Sequence, residues 1–383
     1  MAGARTIRHD PSVAALASNP FIGHAGHHAS AGYVDLSVCR FDPPLVVTDA
    51  LANDTEGLLR LIGGGHHTAG LPDLRDALAH TLTSLGLPSS PAQLLITTGS
   101  QQALALVASE LERNDRVMIE DPTYFGAMHA YLGQRAKLIP FAIDETETAR
   151  TLAAHERRVD LIHVTSAIHN PTGRQLSRRA GERLVDLAAQ CGATLVDDHA
   201  LRYLADLPRP FLATHDSTAD IITIGSFSKV LWSALRVGWL RAPTPTITRL
   251  SARKAALDLA TPALDQGLVL HCLPHLDVLA ALRRQQLSHS RSHARQLLAE
   301  QLPDWHDEGH EHGPFLWLRT NLHDAEPLRE AAHRAGVGLT AGRTLTPTEH
   351  WNGHIRLSIT ASDDELDTAI DRLAQICLGA STV

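Results

Sequence analysis

The sequence predicts an α/β protein: a large α/β/α domain around a mixed, mainly parallel sheet, with a smaller α+β domain beside it. Three observations carry this expectation. From about Val46, short β-branched or apolar runs alternate with amphipathic stretches, the pattern of strands covered on both faces by helices. After roughly Thr261 the pattern turns to long helical segments broken by isolated strands. Residues 1–45, rich in Gly, Ala, His and Pro, fit neither pattern and read as an irregular arm that packs near the smaller domain.

In chain order, strands are predicted over residues 94–97, 116–120, 137–140, 160–164, 193–197, 220–224 and 237–240, each a short apolar run. Helical patterns such as 101–111 and 177–190 separate them. A long helix over 278–300 comes next, then the loop HDEGHEHG and the strand GPFLWLRT. A helix near 325–335, the strand HIRLSIT and a last helix from Asp363 complete the chain. The expected division is an arm over 1–45, a large domain over 46–275 and a small domain over 276–383.

Composition narrows the function. At 383 residues and 44% hydrophobic side chains, two cores can be buried. Lys plus Arg is 34 against 42 for Asp plus Glu, a net charge of −8 that argues against a nucleic-acid surface. The four cysteines are scattered without a CxxC pair, which predicts free thiols in a reducing cytoplasm. No run of about 18 apolar residues occurs, so neither a membrane span nor a secretory leader is expected. Only Lys137, Lys229 and Lys254 can supply a side-chain amine.

The strongest chemical signal is GSFSKVLWSALRVGWL, where a strand runs into Ser226, Ser228 and Lys229, with Arg236 seven residues on. An amine beside hydroxyls and a guanidinium suits a carbonyl-condensing nucleophile next to an anion site. Alone, it is equally a polar corner with a solvated lysine. ITTGSQQAL ends a strand and opens a helix at Gly99, Ser100 and Gln101, either a simple N-cap or a phosphate site. DPTYFGA puts Tyr124 on a loop, where it packs on the core or stacks on a flat ring. HNPTG, with Asn170, is first a turn. Asp197 and Asp198 at a strand end suit a helix cap, a metal or a protonated ring nitrogen.

Taken together and in this order, AGLPDLRDAL, TTGSQQAL, EDPTYFGA, NPTGRQLS and SFSKVLWSALRVGWLRAP resemble the class I/II aminotransferase group of fold-type I pyridoxal-phosphate (PLP) enzymes. They look most like the aminotransferase-like domain of MocR-type proteins. The resemblance implies PLP as cofactor, a small-molecule amino-acid substrate and a homodimer with shared active sites. It implies that Lys229 forms the internal aldimine and shuttles the Cα proton. Asp197 then pairs with the pyridinium nitrogen, with Asp198 in its place should the strand end one residue later. Asn170 bonds the ring oxygen and Tyr124 stacks on the ring. Ser226, Ser228, Arg236 and the backbone of Gly99, Ser100 and Gln101 hold the phosphate, and Arg356 clamps the substrate α-carboxylate.

Three positions depart from the family pattern. A phenol expected two or three residues after Asp197 is replaced by His199 and Ala200, and Tyr203 is out of register. A tyrosine that would reach the partner's phosphate is replaced by Gly65, followed by His66 and His67, of which one is expected to take its place across a dimer interface. A glycine at the substrate mouth becomes Cys39 or Arg40. The groups His24, His27, His28 and His306, His310, His312 have metal-compatible spacing, but a solvated loop is the expected reading and no metal is predicted.

The expected activity is that of a PLP-dependent enzyme acting on an α-amino acid through an external aldimine and quinonoid, as an aminotransferase. The departures leave room for an alternative, a β-eliminating C–S lyase or decarboxylating oxidative deaminase working on a bulky cysteine conjugate in specialised biosynthesis. A non-catalytic ligand-sensing domain of MocR type is the remote alternative, because the residues before the match are not basic.

Overall fold

The computed structural model describes residues 32–63, 65–142, 159–215 and 217–380. The described chain opens with strand β1 (Val34–Asp35) and helices α1 (Leu45–Asn53), α2 (Thr55–Ile62) and α3 (Pro72–Ser84). Then strands and helices alternate: β2 (Leu94–Thr97), α4 (Gly99–Ala108), β3 (Arg116–Glu120), α5 (Phe125–Gly133), β4 (Lys137–Phe141) and β5 (Leu161–Val164). The series ends with α6 (Arg178–Cys191), β6 (Thr194–Asp198), β7 (Asp220–Ser226) and β8 (Gly238–Arg241).

These seven strands, β2 to β8, make one sheet in the order β2-β8-β7-β6-β5-β3-β4. The run β4-β3-β5-β6-β7 is parallel, and β8 lies antiparallel to both its neighbours. Every residue of β5 is buried, as a strand covered on both faces requires. Local chemistry sets the ends of the flanking helices. Ser177 Oγ accepts the Ala180 amide to start α6, and Gly192 ends it in the left-handed region at φ 66°.

After α7 (Thr244–Asp258) and α8 (Ala263–Cys272) comes the long α9 (Leu276–Gln301). The remaining elements are β9 (His306–Asp307), β10 (Phe315–Arg319), α10 (Glu326–Arg334), β11 (Val337–Gly338), β12 (Thr340–Ala341), β13 (His354–Ser358) and α11 (Asp363–Ala380). A four-stranded antiparallel sheet runs β12-β13-β10-β9. The arm joins this part of the molecule, since β1 pairs in parallel with β11, Val34 opposite Val337.

Helix α9 belongs to two cores. Its first residues, Leu276, Leu279 and Ala280, pack in the core that holds Trp239 and Leu268. Its later residues, Leu287, Ala294 and Leu298, pack in the core that holds Leu316, Ile355 and Ile370. Packing therefore changes hands inside α9 rather than at residue 276. One strand end also differs from expectation. The strand predicted over 193–197 is β6, shifted one residue later to Thr194–Asp198, and that shift decides which aspartate reaches the site.

Candidate active site

The site lies at the C-terminal ends of the parallel strands, under the second sheet. At the β2–α4 junction Gly99 takes φ +75°, a left-handed turn that favours glycine. A Cβ on Gly238 would lie 2.6 Å from the Gly99 carbonyl carbon and 2.7 Å from the Ser100 nitrogen, so only glycine lets β8 run this close to the turn. Thr98, the N-cap of α4, makes no side-chain cap bond. The leading amides of α4 are thus left for an anion.

Strand β7 delivers the next group. Ser226 Oγ accepts the Ser228 amide at 3.2 Å, Ser228 Oγ donates to the Leu235 carbonyl at 2.6 Å, and Arg236 Nη1 donates to Ser228 Oγ at 3.3 Å. Arg236 is largely exposed, yet its guanidinium lies over Gly99. Lys229 Nζ donates to the Cys39 carbonyl at 3.1 Å, which ties the arm to the lysine.

Tyr124 is the N-cap of α5, and its hydroxyl donates to Gln101 Oε1 at 3.1 Å. Gln101 Nε2 in turn donates to the Gly126 carbonyl at 3.0 Å. Burial pushes the phenol up to about 12, so it stays protonated. On β13, Arg356 is buried with its Cζ 4.2 Å from the Phe315 ring centroid. It donates to Asn170 Oδ1 at 3.0 Å, to the Ser37 carbonyl at 2.5 Å and to Thr340 Oγ1 at 3.2 Å. Among the described residues its Nε has no partner and no ion pair involves it. Burial pulls this guanidinium down to about 10, still charged at neutral pH.

These side chains share a cavity of about 110 Å³. Cys39, Ser100, Tyr124, Asn170, Asp198, Lys229 and Arg356 line it, with Val38, Phe125, Thr165, Ala200, Leu201 and Phe315 completing the wall. Successive residues of a strand face opposite ways. Because β6 ends at Asp198, Asp198 points into the cavity and Asp197 points away. Among the described residues the Asp198 carboxyl accepts only the Ala200 amide, at 2.8 Å, and burial, together with the Asp197 charge, pushes it up to about 6. Asp197 accepts from Ser166 Oγ at 2.5 Å, His199 Nε2 at 2.7 Å and the Leu212 amide at 2.9 Å. Burial raises Asp197, but these donors outweigh it and hold the carboxyl below its ordinary value.

Several sequence-based assignments are therefore corrected for this chain. Asp197 and His199 do not line the cavity, since the strand alternation commits both to the far side of β6. Counted from Asp198, the positions of the missing phenol are Ala200 and Leu201, both apolar and both on the cavity wall. Arg40 is exposed, with its amide bound to Thr360 Oγ1. His66 and His67 are exposed on the loop before α3 and outside this chain's own cavity; the expectation for them concerns the partner subunit's site. His24, His27 and His28 lie outside the described residues. Among the described residues no group of three or more His, Cys, Asp or Glu is placed to hold a metal ion. Of the other lysines, Lys137 is exposed on the edge strand β4, and Lys254 is wholly buried against Asp258 and Gln102.

Sequence reasoning missed Val38, Phe125, Thr165, Leu201 and Phe315. Phe315 was in principle findable, since cross-strand pairing puts Trp317 opposite Arg356 and thus Phe315 on the same face. The donors present fit PLP. The uncapped α4 amides, the Ser226 hydroxyl and Arg236, steadied by Ser228, suit its phosphate, Lys229 its carbonyl, and Asp198 its ring nitrogen.

Comparisons with known proteins agree with this geometry. The family model described as aminotransferase class I and II matches residues 35–373. The chain is 26% identical over 329 residues to aromatic-amino-acid aminotransferase 1 of Thermococcus litoralis, covering 80% of this chain and 78% of that protein. It is 27% identical over 292 residues, 72% of its length, to the uncharacterised HTH-type transcriptional regulator YdfD of Bacillus subtilis, and spans 59% of that regulator. Among solved structures, LysN, the α-aminoadipate aminotransferase of Thermus thermophilus, aligns with a TM-score of 0.83 over 98% of both chains at 22% identity. Among the described residues no helix is long and apolar enough to cross a membrane.

Proposed function

Since the chain belongs to the class I and II aminotransferase family of PLP-dependent enzymes, we propose that it transfers the amino group of an α-amino acid whose side chain is uncharged and apolar. The observation that carries this reading is Arg356: a buried guanidinium with an open Nε and no carboxylate partner, in the same cavity as Lys229. A buried cation without a counter-ion is costly unless a ligand supplies one. The α-carboxylate of the substrate is that ligand.

Bound PLP supplies a carbonyl that condenses with amines and a ring that withdraws electrons from the substrate Cα. The chain's residues do the rest. Arg356 and Asn170 fix the carboxylate, so the Cα–H bond is held in one orientation. Lys229 Nζ would take the proton from Cα and return it on the far side of the amino nitrogen, at the carbon that carried the carbonyl. Asp198 holds a proton on the ring nitrogen, and Tyr124 covers the ring face. The α4 amides, Ser226 and Arg236, the last held by Ser228, would anchor the phosphate.

Selectivity follows from the wall. Val38, Ala200, Leu201 and Phe315 are apolar. Among the described residues, the cations at this cavity are already engaged, Lys229 with the cofactor and Arg356 with the α-carboxylate. A second carboxylate on the substrate would be left unpaired at a cost of several kcal/mol.

We also read the enzyme as a cytoplasmic homodimer, in which residues 46–275 carry the cofactor while the arm and residues 276–383 cover it. Helices α1, α2 and α8 pack together and leave Leu45, Leu51, Leu59, Leu61 and Leu264 exposed, an apolar patch of the kind a subunit interface covers.

The deciding experiment is a single turnover of the holoenzyme with individual amino acids and no acceptor. The reading expects conversion of PLP to pyridoxamine phosphate, with one equivalent of keto acid, from leucine, methionine or phenylalanine but not from aspartate or glutamate. Faster conversion of the acidic pair would overturn the substrate class. Release of ammonia, a thiol or carbon dioxide with PLP unchanged would replace transfer by elimination or oxidative decarboxylation.

A further inference from the structure

Behind the cavity wall, on the far face of β6, lies a buried polar chain that the reaction as described does not use. Asp197 is fully buried and takes three donors, from Ser166, His199 and the Leu212 amide. His199 is itself buried, and its Nδ1 accepts from Arg202 Nη1 at 3.4 Å. Arg202 is buried too. It donates to the Arg209 carbonyl at 2.6 Å, and its Cζ sits 3.8 Å from the Phe211 ring centroid. The whole array thus fixes one carboxylate, one peptide bond away from the aspartate that faces the cofactor site.

We propose that Asp197 is a positioning residue for the cofactor's ring nitrogen: a permanently ionised carboxylate, locked on the far face of β6, that makes Asp198 a stronger proton acceptor and fixes the direction in which it points. This rests on Asp198 pairing with that nitrogen. Two physical effects act together. The three donors to Asp197 pin the end of β6, so the Asp198 carboxyl cannot rotate toward the far side. The fixed negative charge also disfavours ionised Asp198 in the empty site, so that a protonated ring nitrogen becomes the counter-ion that relieves it. The same charge bears on the other buried groups packed around the strand end. Asp197 and Asp198 both raise Glu120 on β3, and Asp197 raises His163 on β5 against its burial. Arg202 acts in the opposite sense from the far side. Removing the charge at Asp197 therefore has a signature at the cofactor that removing volume alone does not have.

The test compares Asp197→Asn, His199→Gln and Asp198→Asn in the full chain, stripped of cofactor and titrated with PLP. Three quantities are read: PLP affinity, the pH at which the visible cofactor band changes, and the melting temperature of the cofactor-free protein. Asp197→Asn is isosteric and keeps the cavity lining. It is expected to weaken PLP about tenfold, as the loss of a charge one residue away in a buried site implies, and to move the pH midpoint of the band. His199→Gln leaves Asp197 charged through Ser166 and Leu212. It should stay within about twofold of the wild type in affinity and at the same midpoint, whatever it does to melting. Equal losses in Asp197→Asn and His199→Gln that track the melting temperature would reduce Asp197 to a packing residue and overturn the proposal. So would an unchanged midpoint in Asp197→Asn. If instead Asp198→Asn binds PLP as the wild type does, it is the pairing of Asp198 with the ring nitrogen that fails. Should Asp197→Asn not fold, Ser166→Ala serves in its place: the midpoint must then move in the same direction as one donor to Asp197 is lost, and an unmoved midpoint again overturns the proposal.

Discussion

Arg356 is the residue on which substrate recognition turns. Replacing it by Ala removes a buried charge-assisted pair and should lower kcat/KM for amino acids about a hundredfold or more, while PLP affinity stays nearly unchanged. Steady-state kinetics beside a PLP titration separate the two. Arg356→Lys should recover little, because an ammonium cannot donate from Nε and both Nη positions in one plane. Residues set in a recognisable local motif were legible in the sequence: Lys229, Asn170, Tyr124, Ser100 and Arg356 all reach the cavity. The aspartate was legible only as one of an adjacent pair, Asp197 first and Asp198 should the strand run one residue further, and the reason is geometric. In a strand a one-residue shift turns every side chain over, so an end placed at residue 197 instead of 198 exchanges Asp197 for Asp198. No composition or spacing rule resolves strand ends to a single residue.

At the scale of elements, the β2–α4 turn and β8 act as one cradle. Gly238→Ala would press a methyl group into the backbone of Gly99 and Ser100. A cost of about 1–3 kcal/mol in stability is expected, together with faster loss of PLP on dialysis than in the wild type; thermal melts and absorbance after dialysis check both. The strand ends also carry a pH signature. Burial pushes Glu120, at the end of β3, up to about 8. The folded state keeps this proton while the unfolded chain releases it near 4.5. Stability therefore falls as pH rises from about 4.5 to 8. Glu120→Gln should melt like the wild type at pH 5 and be more stable at pH 9 by up to about 4 kcal/mol. His169 works the other way: burial lowers it to about 3, so its contribution is lost as pH falls from 6.5 toward 3. The strands themselves were readable from runs of apolar residues, but α1 and α2 were not assigned, because each is short and buries only one or two residues, Val47 and Ala50 in α1 and Leu58 in α2.

For the whole molecule, the leucine patch on α1, α2 and α8 predicts a dimer. Sedimentation should give twice the chain mass, and Leu59→Glu with Leu264→Glu should shift it toward the monomer with weaker PLP retention. The change of pattern near Thr261 set the expected division at residue 276, but it did not show that α9 is shared between two cores, since a helix buried on different sides at its two ends looks in sequence like any amphipathic helix. The scarcity of lysine has a practical side. The chain has three lysines. Lys254 is shut inside the protein and Lys229 is occupied once the cofactor is in place, while Lys137 stands open on β4 at the edge of the sheet. An acylating reagent applied to the loaded enzyme thus meets one open lysine side chain, on an edge strand outside the cavity lining. A dye, a bead or an electrode linker attached there would hold its molecules by the same sheet edge, leaving the catalytic lysine of each untouched.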